Sequence, residues 1–353
     1  MITMTDIAEK AGVSRSAVSF VLNNRPNSGI PEGTRQRIID MAAEMGYRPN
    51  QLARAVASGR TRMIGYLVAE PKYEPSWKII MGALAEAEAL GFTLKVLSVT
   101  PETFGERLRQ CVELRLGGIV SSLFGGHHVV FEEADRAQIP VAIVDPGLAQ
   151  PFGANVLADD SIGLTDAIAH LRESGHTRIG FISSGFARLF GGAGDIGTAR
   201  EALFRRIIKK HGLDVPKGYI THETMDVFGP DVDAETNLQS AFAATQALLN
   251  HPGGRPTAIC CWRDETAMVA IRACAEAGLR VPEEISVVGF SDLSAAKFFR
   301  PPLSTVQSPW DELGHLAVRE LCRRMENEFS PDASTHFVPS RFIPRQSSGP
   351  APR

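Results

Sequence analysis

The sequence predicts an α/β protein in two parts: a three-helix helix-turn-helix head with a hinge, then a larger core of two open parallel sheets. Three observations carry this. The first sixty residues read as short amphipathic helices punctuated by glycine. From Met63 onward, short apolar runs alternate with helical stretches, the pattern of repeated βα units. Charge divides at the same place: residues 1–62 hold nine Lys/Arg against five Asp/Glu, and the remainder holds 28 against 35. A small basic head on an acidic body suits a polyanionic partner for the head alone.

Within the head, Thr5 or Asp6 can cap a first helix carrying Ile7 and Ala8. Gly12 ends it, because glycine accepts the left-handed backbone of a sharp turn. Ser14 starts a second helix as N-cap, and Val18, Val21 and Leu22 follow at i, i+3, i+4 as one apolar stripe. Steeply crossing helices need close approach, a sharp turn and a shared core, which Ala8, Gly12 and Val18 supply. Arg15, Ser16 and Ser19 are left outside near the N-terminus of the second helix, the end that meets base edges in a major groove. A third helix is expected over 31–45, with Ile38, Ala42 and Met45 on one face and Gly46 as its stop. The segment 47–61 is poor in apolar residues. Asn50 can cap a short helix there, but so short a helix is marginal in water, so the segment reads as a linker that orders when bound.

In the core, strands are expected at 64–69, 94–99, 118–121 and 141–145, alternating with helical stretches such as 79–90 and 107–116. A second series places strands at 179–183, 219–222, 258–261 and 285–289, with helices near 163–174, 198–211, 241–250 and 265–277. At 353 residues the chain has ample material for two or three domains.

Other classes are disfavoured. No apolar N-terminal run reads as a signal peptide and no stretch is suited to span a bilayer, so a cytoplasmic protein with no membrane partner is expected. The five cysteines, Cys111, Cys260, Cys261, Cys274 and Cys322, are odd in number and lie in apolar surroundings, which fits buried thiols in a reducing compartment. Gly192-Ala193-Gly194-Asp195-Ile196-Gly197 matches a dinucleotide-binding glycine pattern, but the expected strand ends near Ser184, too early for a phosphate turn. A flexible loop at a binding cleft is the better reading. His127-His128 has no suitably spaced third ligand and reads as a solvated loop. No nucleophile-base set or carboxylate pair stands out. Catalytic residues, metal and cofactor are therefore all expected to be absent.

The chain resembles the LacI/GalR family of bacterial transcription regulators. The resemblance rests on D-I-A-E-K-A-G-V-S (6–14), G-Y-R-P-N (46–50), L-A-R (52–54) and I-G (64–65) near the start. It continues through H-L-R-E-S-G-H-T-R-I-G-F-I (170–182), R-P-T-A-I (255–259), G-L-R-V-P-E-E-I-S-V-V-G-F (278–290) and P-P-L-S-T-V (301–306). It implies that the two sheets are lobes of a periplasmic-binding-protein-like core, with a small-molecule effector in the cleft at the strands' carboxyl ends. It also implies a homodimer on palindromic operator DNA, acting as a repressor of transcription. The implied layout is a DNA-binding domain at 1–49, a hinge at 50–61, a first lobe at 62–162 plus 292–324, a second lobe at 163–291 plus 325–345, and a tail at 346–353. Crossings between lobes are expected near 159–163, 291–294 and 323–328. The tail carries no leucine heptads, which favours a dimer over a tetramer.

Site residues follow from the resemblance position by position. Arg15, Ser16 and Phe20 match base-reading positions, and Arg15 can grip a guanine bidentately. Thr5, Ser14, Ser19, Asn23, Tyr47, Asn50 and Arg54 complete the implied DNA surface. Val56, beside Ala57, stands where relatives push a leucine into the minor groove. For the effector, Arg200 matches an arginine that contacts sugars, although Leu203 replaces the glycine of that pattern. Trp262-Arg263-Asp264 stands for A-N-D and Gly289-Phe290-Ser291-Asp292 for G-[FY]-D-D. Trp310 occupies an aromatic position, and Tyr73 and Trp77 can form a facing wall. A gained arginine and a lost carboxylate predict an anionic effector such as a sugar acid, unless Arg263 pairs with Asp264 or Glu265, with a neutral sugar as the alternative. Two other classes compete with the regulator: a solute-binding receptor of the same core fold, and a nucleotide-dependent oxidoreductase resting on the glycines alone.

Overall fold

The computed structural model describes residues 2–22, 29–47, 61–69, 71–100, 102–123, 127–145, 149–184, 196–224, 234–326 and 332–353. Asn23, Asn50, Arg54, Val56 and Ala57, the hinge expected around them, and Gly192 and Gly194 lie outside the described residues. The chain divides into two compact units, Met1–Thr61 and Arg62–Arg353.

The first unit holds α1 (Met4–Ala11), α2 (Arg15–Leu22) and α3 (Glu32–Glu44). The cap of α1 is Thr3 rather than Thr5 or Asp6. Thr3 Oγ1 accepts the Asp6 N–H at 3.3 Å while Asp6 Oδ2 accepts the Thr3 N–H at 2.7 Å. This reciprocal box satisfies two backbone donors, and it puts Asp6 in the first helical turn instead of ahead of it. Gly12 and Gly46 end α1 and α3 at φ 66° and 64°, a conformation that a Cβ disfavours. Ile7, Ala8, Ala11, Val18, Val21, Ile38 and Ala42 form one core beneath the three helices.

The second unit holds two six-stranded sheets. The first contains β1 (Met63–Val68), β2 (Thr93–Ser98), β3 (Gly118–Ser122), β4 (Val141–Val144), β5 (Ala154–Asp159) and β11 (Ser334–Pro339). Their order is β11-β5-β4-β3-β1-β2, with every pair parallel. The second contains β6 (Ile179–Ser184), β7 (Ile220–Glu223), β8 (Ala258–Cys261), β9 (Ser286–Ser291), β10 (Ser304–Gln307) and β12 (Arg341–Ile343). Here the order is β12-β10-β9-β8-β6-β7, and only the β10–β12 pair is antiparallel. Buried Val, Ile and Leu run through the central strands, as expected of parallel sheets covered on both faces.

Helices complete the two lobes. The first lobe carries α4 (Glu74–Ala89), α5 (Phe104–Glu113), α6 (His127–Arg136) and α11 (Trp310–Glu326). The second carries α7 (Asp160–Glu173), α8 (Ile196–Lys210), α9 (Ala234–Leu249) and α10 (Asp264–Glu276). Ile79, Ala83, Leu313, Ala317 and Leu321 from α4 and α11 pack on one face of the first sheet. Leu164, Ile168, Phe204 and Ile207 from α7 and α8 do the same for the second. His127 thus begins a helix, where a solvated loop was expected. No described helix is long and apolar enough to cross a membrane, and all five cysteines are buried free thiols.

The lobe boundaries differ from expectation. The chain leaves the first sheet between Asp159 and Asp160, leaves the second between Gln307 and Trp310, and crosses again between Pro339 and Arg341. Crossings near 291–294 and 323–328 are therefore not found. Residues 304–307 belong to the second lobe and 334–339 to the first, opposite to the expected layout. Both strands are short or polar, so no apolar run marks them, and only ladder pairing assigns them to a sheet. Nor is 346–353 a free tail. The Val287 N–H donates to the Ser347 carbonyl at 2.7 Å, Ser304 N–H to Ser347 Oγ at 2.8 Å, and Ala351 N–H to the Ser174 carbonyl at 2.7 Å.

One constraint on the first lobe is steric. A Cβ on Gly82 of α4 would lie 2.0 Å from the Asp311 carbonyl oxygen, and one on Gly314 of α11 would lie 2.0 Å from that of Ile79. The two glycines face each other's backbones and let the helices touch. Gly82→Ala or Gly314→Ala should therefore cost about 1–3 kcal/mol by overpacking, despite alanine's better helix propensity. Thermal unfolding of either variant checks this, and an unchanged or raised midpoint would contradict the close approach.

Candidate functional site

In the head, α2 begins immediately after a capped turn. Ser14 Oγ accepts the Ala17 N–H at 3.1 Å, which fixes the N-cap and engages the serine hydroxyl. Arg15 and Ser16 are exposed at this end, as is Thr5 on α1. Phe20 is 37% exposed, so its ring has an accessible side. Ser19 and Tyr47 are half-buried; the Tyr47 N–H donates to the Ala42 carbonyl at 2.9 Å and its side chain packs against the head's core. The first turn of α2 carries no acidic residue, which leaves its positive dipole end uncancelled by local charge.

In the second unit, strand ends from both lobes bring a charged set together. Arg200, on α8, is 2% exposed. Its Nε donates to Asp160 Oδ2 at 2.8 Å and its Nη1 to the Trp262 carbonyl at 2.8 Å, while the guanidinium lies 3.7 Å above the Phe290 ring. Arg263, the N-cap of α10, is paired with neither Asp264 nor Glu265. Its Nη2 lies 2.8 Å from Glu223 Oε1, and its Nε reaches the same oxygen at 3.0 Å. Glu223 ends β7 and also accepts from Trp262 Nε1 at 2.9 Å and Thr266 Oγ1 at 2.7 Å. The expected surplus of positive charge is therefore not present: each guanidinium already has its carboxylate.

Other expected effector residues hold different positions. Both carboxylate oxygens of Asp264 are occupied, Oδ2 by the Leu293 N–H at 2.7 Å and Oδ1 by Thr305 Oγ1 at 2.6 Å, so this residue braces the loop after β9. Ser291 ends β9 at φ 126° and is buried; its carbonyl accepts Trp310 Nε1 at 3.2 Å. Trp310 is itself buried in the first lobe's core, so it ties the lobes together instead of lining an open wall. Trp77 is 53% exposed on α4, in line with exposed Met81 and Leu84 at i+4 and i+7. That is a surface stripe, out of phase with the buried face of the helix. Tyr73 is half-buried and faces Arg263, Glu265 and Arg200; burial pushes its phenol up. Beside it, Glu74 Oε1 accepts Ser294 N–H at 2.9 Å and Ser294 Oγ at 2.7 Å, a second tie between lobes.

A cavity of about 220 Å³ opens between the lobes, walled by Asp145, Leu157, Asp160, Arg200, Leu203 and Phe337. Burial pushes the Asp145 carboxyl up to about 7, with Asp160 raising it further and Arg200 partly opposing. Burial raises Asp160 too, against the pull of Arg200. The sequence reading does not single out Asp145, Asp160 or Glu223. The rule that ligands sit at the carboxyl ends of parallel strands points to each, since Asp145 follows β4, Asp160 follows β5 and Glu223 ends β7.

The raised Asp145 has a consequence for stability. An unfolded aspartate loses its proton near 4, whereas the folded one holds it to about 7. Its ionisation therefore costs folded stability progressively between those values and fully above the upper one. Asp145→Asn should stabilise the core at pH 8, by at most about 4 kcal/mol, and change it little at pH 4. Thermal unfolding at the two pH values measures this, and equal effects at both would remove Asp145 as the source.

With this geometry in hand, similar proteins are informative. Residues 3–50 match the family described as bacterial regulatory proteins, lacI family. Residues 168–348, over half of the chain, match the periplasmic binding protein-like domain. The HTH-type transcriptional repressor PurR of Photobacterium profundum is 28% identical over 333 residues, covering 93% of each chain. The ribose operon repressor of Escherichia coli (strain K12) is 29% identical, over 92% of this chain and 93% of its own. Among solved structures, the Lac repressor dimer bound to operator and the anti-inducer ONPF has a TM-score of 0.74 at 22% identity, covering 99% of each chain. The transcriptional regulator CelR–cellobiose complex has a TM-score of 0.69 at 21% identity, covering 98% of this chain and 100% of its own. A helix-turn-helix head matched by one profile and a two-lobed core matched by the other leave one assignment: the chain belongs to the lacI family of bacterial regulatory proteins and is a DNA-binding transcription regulator, not an enzyme.

Proposed function

We propose that this regulator is a repressor that binds a palindromic operator as a homodimer and is controlled by a small sugar held between its lobes. The observation that carries the DNA half is the N-terminus of α2, where Arg15 and Ser16 stand exposed just beyond the Ser14 cap. An arginine there can take a guanine bidentately, and the neighbouring backbone N–H groups suit phosphate. Thr5, Ser14, Ser19, Asn23, Tyr47, Asn50 and Arg54 are assigned to the surrounding contacts, with Phe20 against a thymine methyl. Val56 and Ala57 are assigned to the minor groove, where valine's shorter side chain makes a shallower wedge than leucine.

The homodimer is supported by Trp77, Met81 and Leu84, an exposed apolar stripe on α4 that suits a second copy of the same surface. The relatives support repression and a sugar: one is a ribose operon repressor, and one solved neighbour holds cellobiose. Tyr73, Arg200, Trp262, Arg263 and Ser291 remain the residues assigned to effector control, some by contact and some by bracing the walls. A ligand that binds one relative angle of the lobes better than another shifts the population of dimer states, and with it the spacing of the heads.

Two substitutions separate readout from general affinity. Arg15→Ala should abolish preference at one symmetric pair of operator positions, at a cost of about 1–3 kcal/mol per contact. Arg54→Ala should instead weaken binding to all sequences and flatten its salt dependence. Titration of randomised operator libraries at two salt concentrations measures both. An unaltered base preference in Arg15→Ala would refute the proposed register of α2.

A further inference from the structure

We propose that the effector carries a protonated amine beside a hydroxyl group, as in an unacetylated amino sugar, with the amine on Asp145 and Asp160 and the hydroxyl on Arg200. This rests on reading the cleft as the effector site. The first ground is the set of polar atoms that the fold leaves unsatisfied. Asp160 gives Oδ2 to Arg200, but its Oδ1 is buried with no hydrogen-bond partner among the described residues. Arg200 uses Nε and Nη1 on protein oxygens, and its Nη2 is likewise buried and unpartnered among them. With the residue 2% exposed and on the cavity wall, that donor calls for a ligand acceptor. The ligand must therefore present a donor and an acceptor close together.

The second ground is charge. Three ionisable groups meet at this wall: Asp145 after β4, Asp160 at the start of α7 and Arg200 on α8. One guanidinium balances one carboxylate, which leaves one negative charge over. The other charged groups on the cavity do not cancel it. Asp159 is occupied as the cap of α7, accepting the Ser161 N–H at 3.0 Å, and Arg206 is exposed. The Ala158 N–H also donates to Asp145, while Phe337 and Leu203 add no charge. Buried charge without a partner is costly, and here Asp145 avoids it by holding a proton to about 7. A ligand cation can replace that proton. A sugar acid would bring a further negative charge beside Asp160, and a neutral sugar would leave Asp145 holding its proton and displace nothing.

Size and shape agree. The cavity of about 220 Å³ is below the roughly 300–1,000 Å³ of pockets for drug-sized ligands. Phe337, 62% exposed on β11, offers a flat ring for the C–H face of a sugar or for the cation itself. A 2-amino-2-deoxyhexose places an ammonium and a hydroxyl on adjacent carbons, which matches the Asp160–Arg200 pair.

Calorimetry on the full-length protein at about pH 6.5, below the ordinary range of amine pKa values, tests this with glucosamine, galactosamine and mannosamine. Each is compared with its parent hexose, and the first two with glucuronate and galacturonate. The expected result is one amino sugar binding at least about tenfold tighter than its parent, the ratio that one charge-assisted hydrogen bond supplies. Buffers of differing ionisation enthalpy should show net proton release on its binding, and Asp145→Asn should remove most of the preference over the parent. Any of three results overturns the proposal: an acid or neutral member binding as tightly, an amine bound without proton release, or no amino sugar bound at all. Gel-shift titration of operator-containing DNA runs alongside. DNA binding that persists while the amino sugars fail removes this inference alone, and loss of DNA binding removes the operator reading beneath it.

Discussion

Two buried guanidinium–carboxylate pairs govern the centre of this molecule. A guanidinium withdrawn from water needs both a counter-charge and hydrogen bonds. Arg263 finds them in Glu223, which at the same time receives the indole N–H of Trp262 and the hydroxyl of Thr266. One carboxylate thus fastens the end of β7 to the end of β8 and the first turn of α10. Arg200 finds its own in Asp160 and stacks on Phe290, which fastens α8 to the start of α7 and to β9. Removing either carboxylate would leave a charge buried without a partner, so each pair is held as a unit in the cleft wall.

Around that centre, specific hydrogen bonds tie the lobes together. Trp310 lies in the first lobe's core and donates to the Ser291 carbonyl of the second. Glu74, next to Tyr73, receives two hydrogen bonds from Ser294. One tie meets the last residue of β9 and the other the loop that follows it, and Asp264 braces that loop from beneath through the Leu293 N–H. The end of β9 and its loop are thus tied to α4 and α11, which meet backbone to backbone at Gly82 and Gly314. Neither helix has a side chain at that contact to yield.

What the sequence makes legible follows its physical periods. The βα alternation marks most of the strands, and the glycine stops and Ser14 cap mark the head. Four strands escape it. β10 and β12 are three or four residues long, β11 alternates polar residues at an edge, and β5 ends in the acidic run that reads as a connection between lobes. The third glycine of the apparent dinucleotide pattern has a plain cause: a Cβ on Gly197 would lie 2.2 Å from Ser184 Oγ, so glycine lets α8 close on β6. The site is legible in its residue types and not in its pairing. Arg200 and Arg263 are marked by position, but Glu223 lies forty residues from Arg263 in the chain. The adjacent Asp264 looks like its natural partner and is already bound elsewhere.

That mispairing bears on how specificity is read from departures within a family. An asparagine replaced by arginine reads as a new positive charge in the pocket only if nothing else changes with it. Here a fully buried glutamate on β7, two strands across the sheet from β8, neutralises the newcomer, so the exchange alters the bracing of the wall and leaves its charge level. The information about a ligand lies instead in what the protein fails to satisfy for itself. Around the cleft, among the described residues, these include an oxygen of Asp160, an oxygen of Glu265 and a nitrogen of Arg200, beside an Asp145 whose carboxyl keeps its own proton. A recognition site is read from its unpaired atoms, and here they ask for a partner that donates and accepts side by side.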